Sequence, residues 1–212
     1  MREDTVTTTV YKFSELSDAA KEKARNKWRE AALYDSWWEY IYEWADEVFK
    51  AIGITSDDYV KCMDGKMRRK GPDIRFSGFS SQGDGACFEG SYSYAKGALK
   101  AVKAAAPKEE ELHRIASELQ DLQRRHFYKL SAQMRHMDMY CHSRSVEIEV
   151  YEDGLYDVSE DVTEAISELM RDIMDWIYAK LEQEHDYLLS DECVDESIGY
   201  AEVEFTEDGS LY

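Results

Sequence analysis

Seven carboxylates between residues 161 and 186 recur at steps of three, four or seven, which places them on one face of a predicted helix. At ~1.5 Å per residue they span roughly 38 Å, so they are sparser than the phosphates of a DNA strand at one per ~3.4 Å. Few basic residues lie among them, and we expect their mutual repulsion to persist. Such a face binds a cationic partner or, alternatively, only keeps the helix solvated. The acidic row is defined as Asp161, Glu164, Glu168, Asp172, Asp175, Glu182 and Asp186.

A second candidate for binding is the glycine-rich stretch FSGFSSQGDGACFEG at residues 76–90. Alternating apolar segments flank Gly83, Asp84 and Gly85, which predicts a β-hairpin whose turn needs positive φ. The stretch lacks the residue spacing of a phosphate-binding loop. We therefore expect a structural turn, with Gln82 and Asp84 as candidate contacts to a partner or a ligand.

The segment HMDMYCH contains potential metal ligands at His136, Asp138, Cys141 and His142. Such side chains can bind zinc. Their spacing matches no zinc module, however, and we predict neither a metal site nor a cofactor. No motif of nucleophilic or zinc-dependent hydrolysis occurs. The sequence thus predicts no catalytic residue and a protein that is not an enzyme.

The negative charge of the chain is concentrated in its last third. The formal net charge is −19, and residues 151–212 contain 20 acidic residues but only Arg171 and Lys180 as basic ones. This asymmetry favours a cationic partner and disfavours direct binding to nucleic acid, whose phosphates would be repelled. No stretch approaches the ~18 apolar residues of a membrane span, and the N-terminal residues lack the apolar core of a signal peptide. We therefore expect a cytoplasmic protein without membrane contact, with its cysteines reduced.

The apolar periodicity predicts a mixture of helices and strands. Ser17 is expected to cap the first helix, and Ser36 begins a second helix that Gly53 ends. Further helices are predicted at 95–106, 108–134, 159–189 and 191–198, and strands at 5–13, 54–63, 74–79, 86–92, 145–151 and 200–209. Strands interspersed with helices predict an α+β fold whose antiparallel sheet contains a central β-hairpin and is covered by several helices, two of them long. We expect a single domain over residues 1–212, with a strongly acidic C-terminal third at 151–212.

Several segments together resemble a family of uncharacterised bacteriophage and prophage proteins. The resemblance covers nearly the whole chain and includes YKFSELSDAAKEKA, YDSWWEYIYEWA and ELHRIASELQ, with FSGFSSQGDGACFEG as its most specific part. Some relatives carry an antitoxin label. The resemblance implies a phage or mobile-element setting and supplies no catalytic residues.

The charge pattern and this setting lead to one hypothesis and two alternatives. The hypothesis is a phage-encoded acidic protein that binds and inhibits a host nucleic-acid-handling defence complex, of anti-CRISPR or anti-restriction type, by mimicking nucleic acid. It would act in the host bacterial cytoplasm on a partner with a basic surface. The first alternative is an antitoxin-like protein that sequesters a basic toxin. The second is a small-ligand-binding protein or an enzyme that uses the loop around Gln82. The helices are long enough to pair between chains, so a homodimer stays open.

Overall fold

The computed structural model describes residues 8–32, 36–56, 71–137, 139–155 and 158–212, together with the backbone of 59–61 and 67–69. Two units make up the chain: residues 1–38 with 183–212 form the first, and residues 39–182 form the second. The expected single domain over residues 1–212 stays a prediction, because separate packing units can still fold cooperatively.

The helices and strands of the described residues have the following bounds. The α-helices are α1 (Asp18–Ala32), α2 (Glu39–Ile52), α3 (Ala98–Ala105), α4 (Glu110–Arg125), α5 (Glu160–Leu189) and α6 (Asp191–Ala201). The strands are β1 (Ile54–Thr55), β2 (Tyr59–Lys61), β3 (Met67–Arg69), β4 (Asp73–Phe76), β5 (Ala86–Ser93), β6 (Leu130–His136) and β7 (Val146–Glu152).

The first unit packs α1 and α6 around a small apolar core. Ser17 begins α1 as predicted, because its Oγ accepts a hydrogen bond from the backbone N–H of Ala20 at 3.3 Å. Ser190 does the same for α6, accepting from the N–H of Cys193 at 3.2 Å. The core consists of Leu16, Ala20, Ala24, Val194, Ile198 and Phe205.

The strand predicted at 200–209 is wrong. Helix α6 continues to Ala201, and Phe205 makes only isolated bridges, one with Tyr11 and one with Leu211. The chain reverses at Gly209, whose φ is +82°, before a longer ladder can form. Of the strand predicted at 5–13, the first residues lie outside the described part, and Tyr11 contributes a single bridge.

The second unit contains an antiparallel sheet in the order β1-β5-β6-β7, with β4 also paired to β5. The register aligns Tyr92 with Ala132 and Ala132 with Val150, and all three are buried on the same face. The neighbouring row is polar, since Ser91 Oγ donates to Gln133 Oε1 at 2.8 Å. Alternation along the strands therefore gives the sheet one apolar and one polar face.

Helices cover the apolar face, so the predicted α+β class is confirmed. The Phe49 ring of α2 lies 4.7 Å from the Phe88 ring of β5, measured between centroids. The Trp44 ring of α2 lies 5.0 Å from the Trp176 ring of α5. The side chains of α5 that are buried in this core are Ile166, Leu169, Met170, Ile173, Met174, Trp176, Ile177 and Leu181.

The helix predicted at 108–134 is wrong in its last third. Helix α4 ends at Arg125, and β6 begins five residues later. The chain reverses between α4 and β6 at Phe127 and Tyr128, whose φ angles are +53° and +63°. Apolar residues of β6 recur with period two, as in a strand. The sequence pattern did not separate them from the helical spacing of the preceding residues.

The predicted hairpin is confirmed as β4 paired with β5, with Arg75 opposite Cys87 in its register. Its connection is a nine-residue loop, 77–85, and not a tight turn. The strand predicted at 54–63 is divided between β1 and β2, which belong to different sheets. Part of that prediction, at 57–58 and 62–63, lies outside the described residues.

Candidate functional site

The acidic row lies along α5, on the side opposite to the helix's buried residues. Its members from Asp161 to Glu182 belong to the second unit, whereas Asp186 belongs to the first. Glu168 and Asp172, in the middle of the row, are half-buried, and the others are exposed. Within the second unit, the helical spacing thus collects the carboxylates from Asp161 to Glu182 on one face of α5.

Three arginines, two of them from outside α5, neutralise the middle of the acidic row. Arg144, which precedes β7, donates two hydrogen bonds to Glu168, at 2.8 and 3.1 Å. Arg171 pairs with the same carboxylate at 2.7 Å, and Arg114 of α4 pairs with Asp172 at 2.6 Å. The hydrogen bond from Arg144 is the largest cause that lowers the pKa of Glu168. The expectation that repulsion along the row goes uncompensated is therefore wrong at these two positions.

The row is left as two pairs of carboxylates without salt bridges among the described residues. Asp161 and Glu164 form the first pair, in the opening turns of α5, where the helix dipole favours negative charge. Asp175 and Glu182 form the second pair, further along the helix. Asp186 lies 3.4 Å from the ring of His185.

Two of the four acidic residues of α6, in the first unit, form salt bridges with arginines of α1. Arg25 donates to both oxygens of Asp195, at 2.7 and 2.8 Å, and Arg29 pairs with Asp191. Lys23 pairs with Asp208 at 2.5 Å. Part of the excess acid in the last third of the sequence is thus neutralised within this unit by basic residues of α1.

Asp84 uses its carboxylate within its own loop. Its Oδ2 accepts hydrogen bonds from the backbone N–H groups of Ser80, at 2.8 Å, and Ser81, at 2.7 Å. These bonds, led by that from Ser81, lower the pKa of Asp84. Gln82 is exposed. Of the two loop residues singled out as contacts, Gln82 is the one whose side chain faces solvent, and the role of both as contacts stays a prediction.

The positive φ predicted for the glycines of this loop is wrong. Neither Gly83 nor Gly85 is among the glycines with positive φ. A Cβ on Gly85 would lie 2.9 Å from the carbonyl oxygen of Cys141 and 3.0 Å from Cα of His142. A Cβ on Gly83 would lie 3.2 Å from the ring of Tyr140. Glycine is needed at position 85 because the backbone of residues 141–142 lies directly against the loop, whereas at position 83 only the exposed Tyr140 ring would have to shift slightly.

A surface groove of about 540 Å³ opens where these two segments meet. It is lined by Gln82, Gly83, Tyr140, His142, Arg144 and Ser145. His142 is engaged within its own segment, since its Nδ1 accepts from the N–H of Arg144 at 3.0 Å. The groove can hold a small polar ligand through the exposed amide of Gln82, but it has no arrangement of acid, base and nucleophile within the described residues.

The structure brings two residues of HMDMYCH together with a cysteine that sequence reasoning missed. Ligand atoms of Cys87, His136 and Cys141 all lie within 4.8 Å of one another. His142 is not in this group, and Asp138 lies outside the described residues. Cys87 is far away along the chain, so only the pairing of neighbouring strands could have pointed to it.

The family comparison covers most of the chain. The model of a domain of unknown function, DUF8835, matches residues 37–191. The chain belongs to this family. Comparison with curated proteins and with solved structures gave no match. Among the described residues, no helix combines the length and apolar character that crossing a membrane requires.

Proposed function

We propose that this DUF8835 protein is a phage-encoded acidic protein that binds and inhibits a host nucleic-acid-handling defence complex of anti-CRISPR or anti-restriction type. It acts in the host cytoplasm and docks the acidic row onto a surface rich in lysine and arginine. The observation that supports this most is the pair of free carboxylate clusters on α5. Asp161 and Glu164, and then Asp175 and Glu182, lack salt bridges in the described part of the chain while their neighbours are neutralised.

The spacing of these clusters defines the partner surface. Along a helix, Glu164 and Asp175 are separated by about 17 Å, and the whole stretch from Asp161 to Glu182 by about 32 Å. A continuous strand of phosphates would not be interrupted by arginines, so we propose that the protein occupies two basic patches of a groove. Nucleic-acid mimicry is then partial, limited to the charges at both ends of the row. Electrostatic attraction of this kind speeds association and weakens as salt is added.

The test is a charge reversal with a matched control. The variant Asp175→Lys/Glu182→Lys reverses one cluster. The control Glu196→Lys/Glu207→Lys reverses two exposed acids elsewhere that have no salt bridge in the described residues, and it changes the net charge equally. Losing two attractions and adding two repulsions, each worth ~0.5 kcal/mol at an exposed contact, costs about 2 kcal/mol. Binding of the defence complex is therefore expected to weaken by roughly 30-fold in the first variant and little in the control.

Equal effects of both variants on affinity and inhibition would refute docking through this face, because net charge alone would then explain the binding. Both variants must keep the wild-type circular dichroism spectrum for the comparison to count. A reversal that leaves inhibition intact would refute the proposal outright.

The antitoxin-like alternative uses the same carboxylates on a different partner. It predicts that co-expression rescues cells from one small basic toxin, and that the same reversal of Asp175 and Glu182 abolishes the rescue. The ligand-binding alternative rests on the groove beside Gln82. It predicts that Gln82→Ala abolishes function while the charge reversal does not.

A further inference from the structure

Three side chains with metal-ligating atoms converge at one edge of the second unit. Cys87 lies on β5, His136 is the last residue of β6, and Cys141 follows in the segment that leads to β7. Their ligand atoms lie within 4.8 Å of one another. Cys87 is only 1% exposed, whereas the other two are half-buried. The cluster therefore combines a protected thiol with a side open to solvent.

The backbone is built so that the second thiol can approach the first. Gly85, two residues before Cys87, contacts the carbonyl oxygen of Cys141 so closely that any side chain there would collide with it. The Sγ atoms of the two cysteines lie within 4.8 Å of each other. A bulkier residue at position 85 would push the segment with Cys141 away from β5.

His136 is oriented for coordination through Nδ1. Its Nε2 lies 2.9 Å from the carbonyl oxygen of Tyr140, so that nitrogen carries the proton and donates. Its Nδ1 therefore carries a lone pair, which accepts a long hydrogen bond from Arg75 Nη1 at 3.4 Å that a bound cation would replace. A histidine that binds a metal usually donates its other N–H to a carbonyl or carboxylate. Tyr140 supplies that carbonyl here.

The charges around the cluster are compatible with a divalent cation. Arg75, which contacts His136, is paired with Asp73 at 2.7 Å and Glu89 at 2.9 Å, which offset its positive charge.

We propose that Cys87, His136 and Cys141 form a metal site for a zinc-like divalent cation, bound through two thiolates and one imidazole nitrogen. Tetrahedral zinc, with ligands at ~2.0–2.3 Å, holds its ligand atoms about 3.5–3.8 Å apart, so the side chains need only a small contraction. Binding releases both thiol protons to solvent and leaves a two-thiolate site without net charge. A tetrahedral ion keeps a fourth position, which is open to water or to a further ligand.

Cobalt substitution tests this site directly. The full-length reduced protein is titrated with Co²⁺ near neutral pH, and its visible and near-ultraviolet absorption is recorded. Thiolate coordination predicts d–d bands of tetrahedral cobalt and a sulfur-to-cobalt charge-transfer band that saturate at one equivalent and are displaced by Zn²⁺. Both Cys87→Ser and Cys141→Ser are expected to lose most of the charge-transfer band. The control Cys193→Ser, in the other unit, is expected to retain it.

A second measurement on the wild-type protein covers the case in which a cysteine variant fails to fold. Zn²⁺ is expected to protect the half-buried Cys141 from alkylation, with Cys193 unaffected, as mapped by peptide mass spectrometry. The proposal is overturned if cobalt produces no tetrahedral spectrum, or if zinc protects no thiol. It is also overturned if the purified protein holds Cys87 and Cys141 in a disulfide and no cobalt site appears after that disulfide is reduced.

Discussion

Replacing Gln123 by leucine is expected to destabilise the second unit strongly although the two side chains have similar size. Gln123 is fully buried on α4 and bridges to the first residue of β6. Its Nε2 donates to the Leu130 carbonyl oxygen at 2.7 Å, and its Oε1 accepts from the Leu130 N–H at 3.2 Å. The same Nε2 also donates to the hydroxyl of Tyr92 at 3.2 Å.

The magnitude follows from the groups that lose their partners. The Gln123→Leu variant leaves the N–H and the carbonyl of Leu130 buried without these hydrogen bonds, at about 1–3 kcal/mol each. The added apolar contact of leucine returns roughly 1 kcal/mol. The free energy of unfolding is therefore expected to fall by about 3 kcal/mol.

Urea unfolding followed by circular dichroism and tryptophan fluorescence measures this loss. The midpoint should shift to lower urea with the slope unchanged. The control is Gln120→Leu, one turn earlier on α4, where the side chain is only half-buried. The reasoning would be refuted if Gln123→Leu lowered the free energy of unfolding no more than Gln120→Leu does. The hydrogen bonds from the Gln123 amide to Leu130 would then contribute nothing measurable to stability.

Three further predictions concern charge and close packing. The pKa of Asp195 is lowered from 3.8, chiefly by the hydrogen bond from Arg25, so Asp195→Asn should lower the melting temperature at neutral pH. That difference should shrink as the pH falls below 3.8 through the lowered pKa, since the wild type loses the same contact in acid; melts across the acid range check it. Gly85→Ala should weaken Co²⁺ binding at least tenfold, because the segment with Cys141 must move away, while circular dichroism stays unchanged. Arg114→Gln should raise the association rate with a basic partner, as stopped-flow at low salt can show, because it frees a carboxylate of the acidic row.

Local signals predicted most of the fold correctly. The cap at Ser17 and the apolar spacing placed α1, and apolar spacing placed α5 and α6, because those signals lie within a few residues of the helices they define. They failed at residues 126–136, where the chain reverses through Phe127 and Tyr128 in left-handed conformation. No glycine or proline marks that reversal, so the helical pattern seemed to continue.

The candidate sites were predicted less completely, because they depend on contacts between distant segments. Helical periodicity placed the acidic row on one face, but it could not show that Arg114 and Arg144 would neutralise its middle. The sequence predicts that the glycines of the loop are needed for positive φ, whereas Gly85 is needed for its close contact with residues 141–142. Cys87 joins His136 only through the register of the sheet.

The measurement that tests the central claim most directly is affinity capture from a nuclease-treated lysate of the bacterial host. Wild type, Asp175→Lys/Glu182→Lys and Glu196→Lys/Glu207→Lys are immobilised in parallel, eluted with rising salt, and analysed by mass spectrometry. We predict that one nucleic-acid-handling defence complex binds to wild type and to the control, is absent from the reversed variant, and is released by moderate salt. Capture of the same complex by all three proteins, or of none by wild type, would contradict the account.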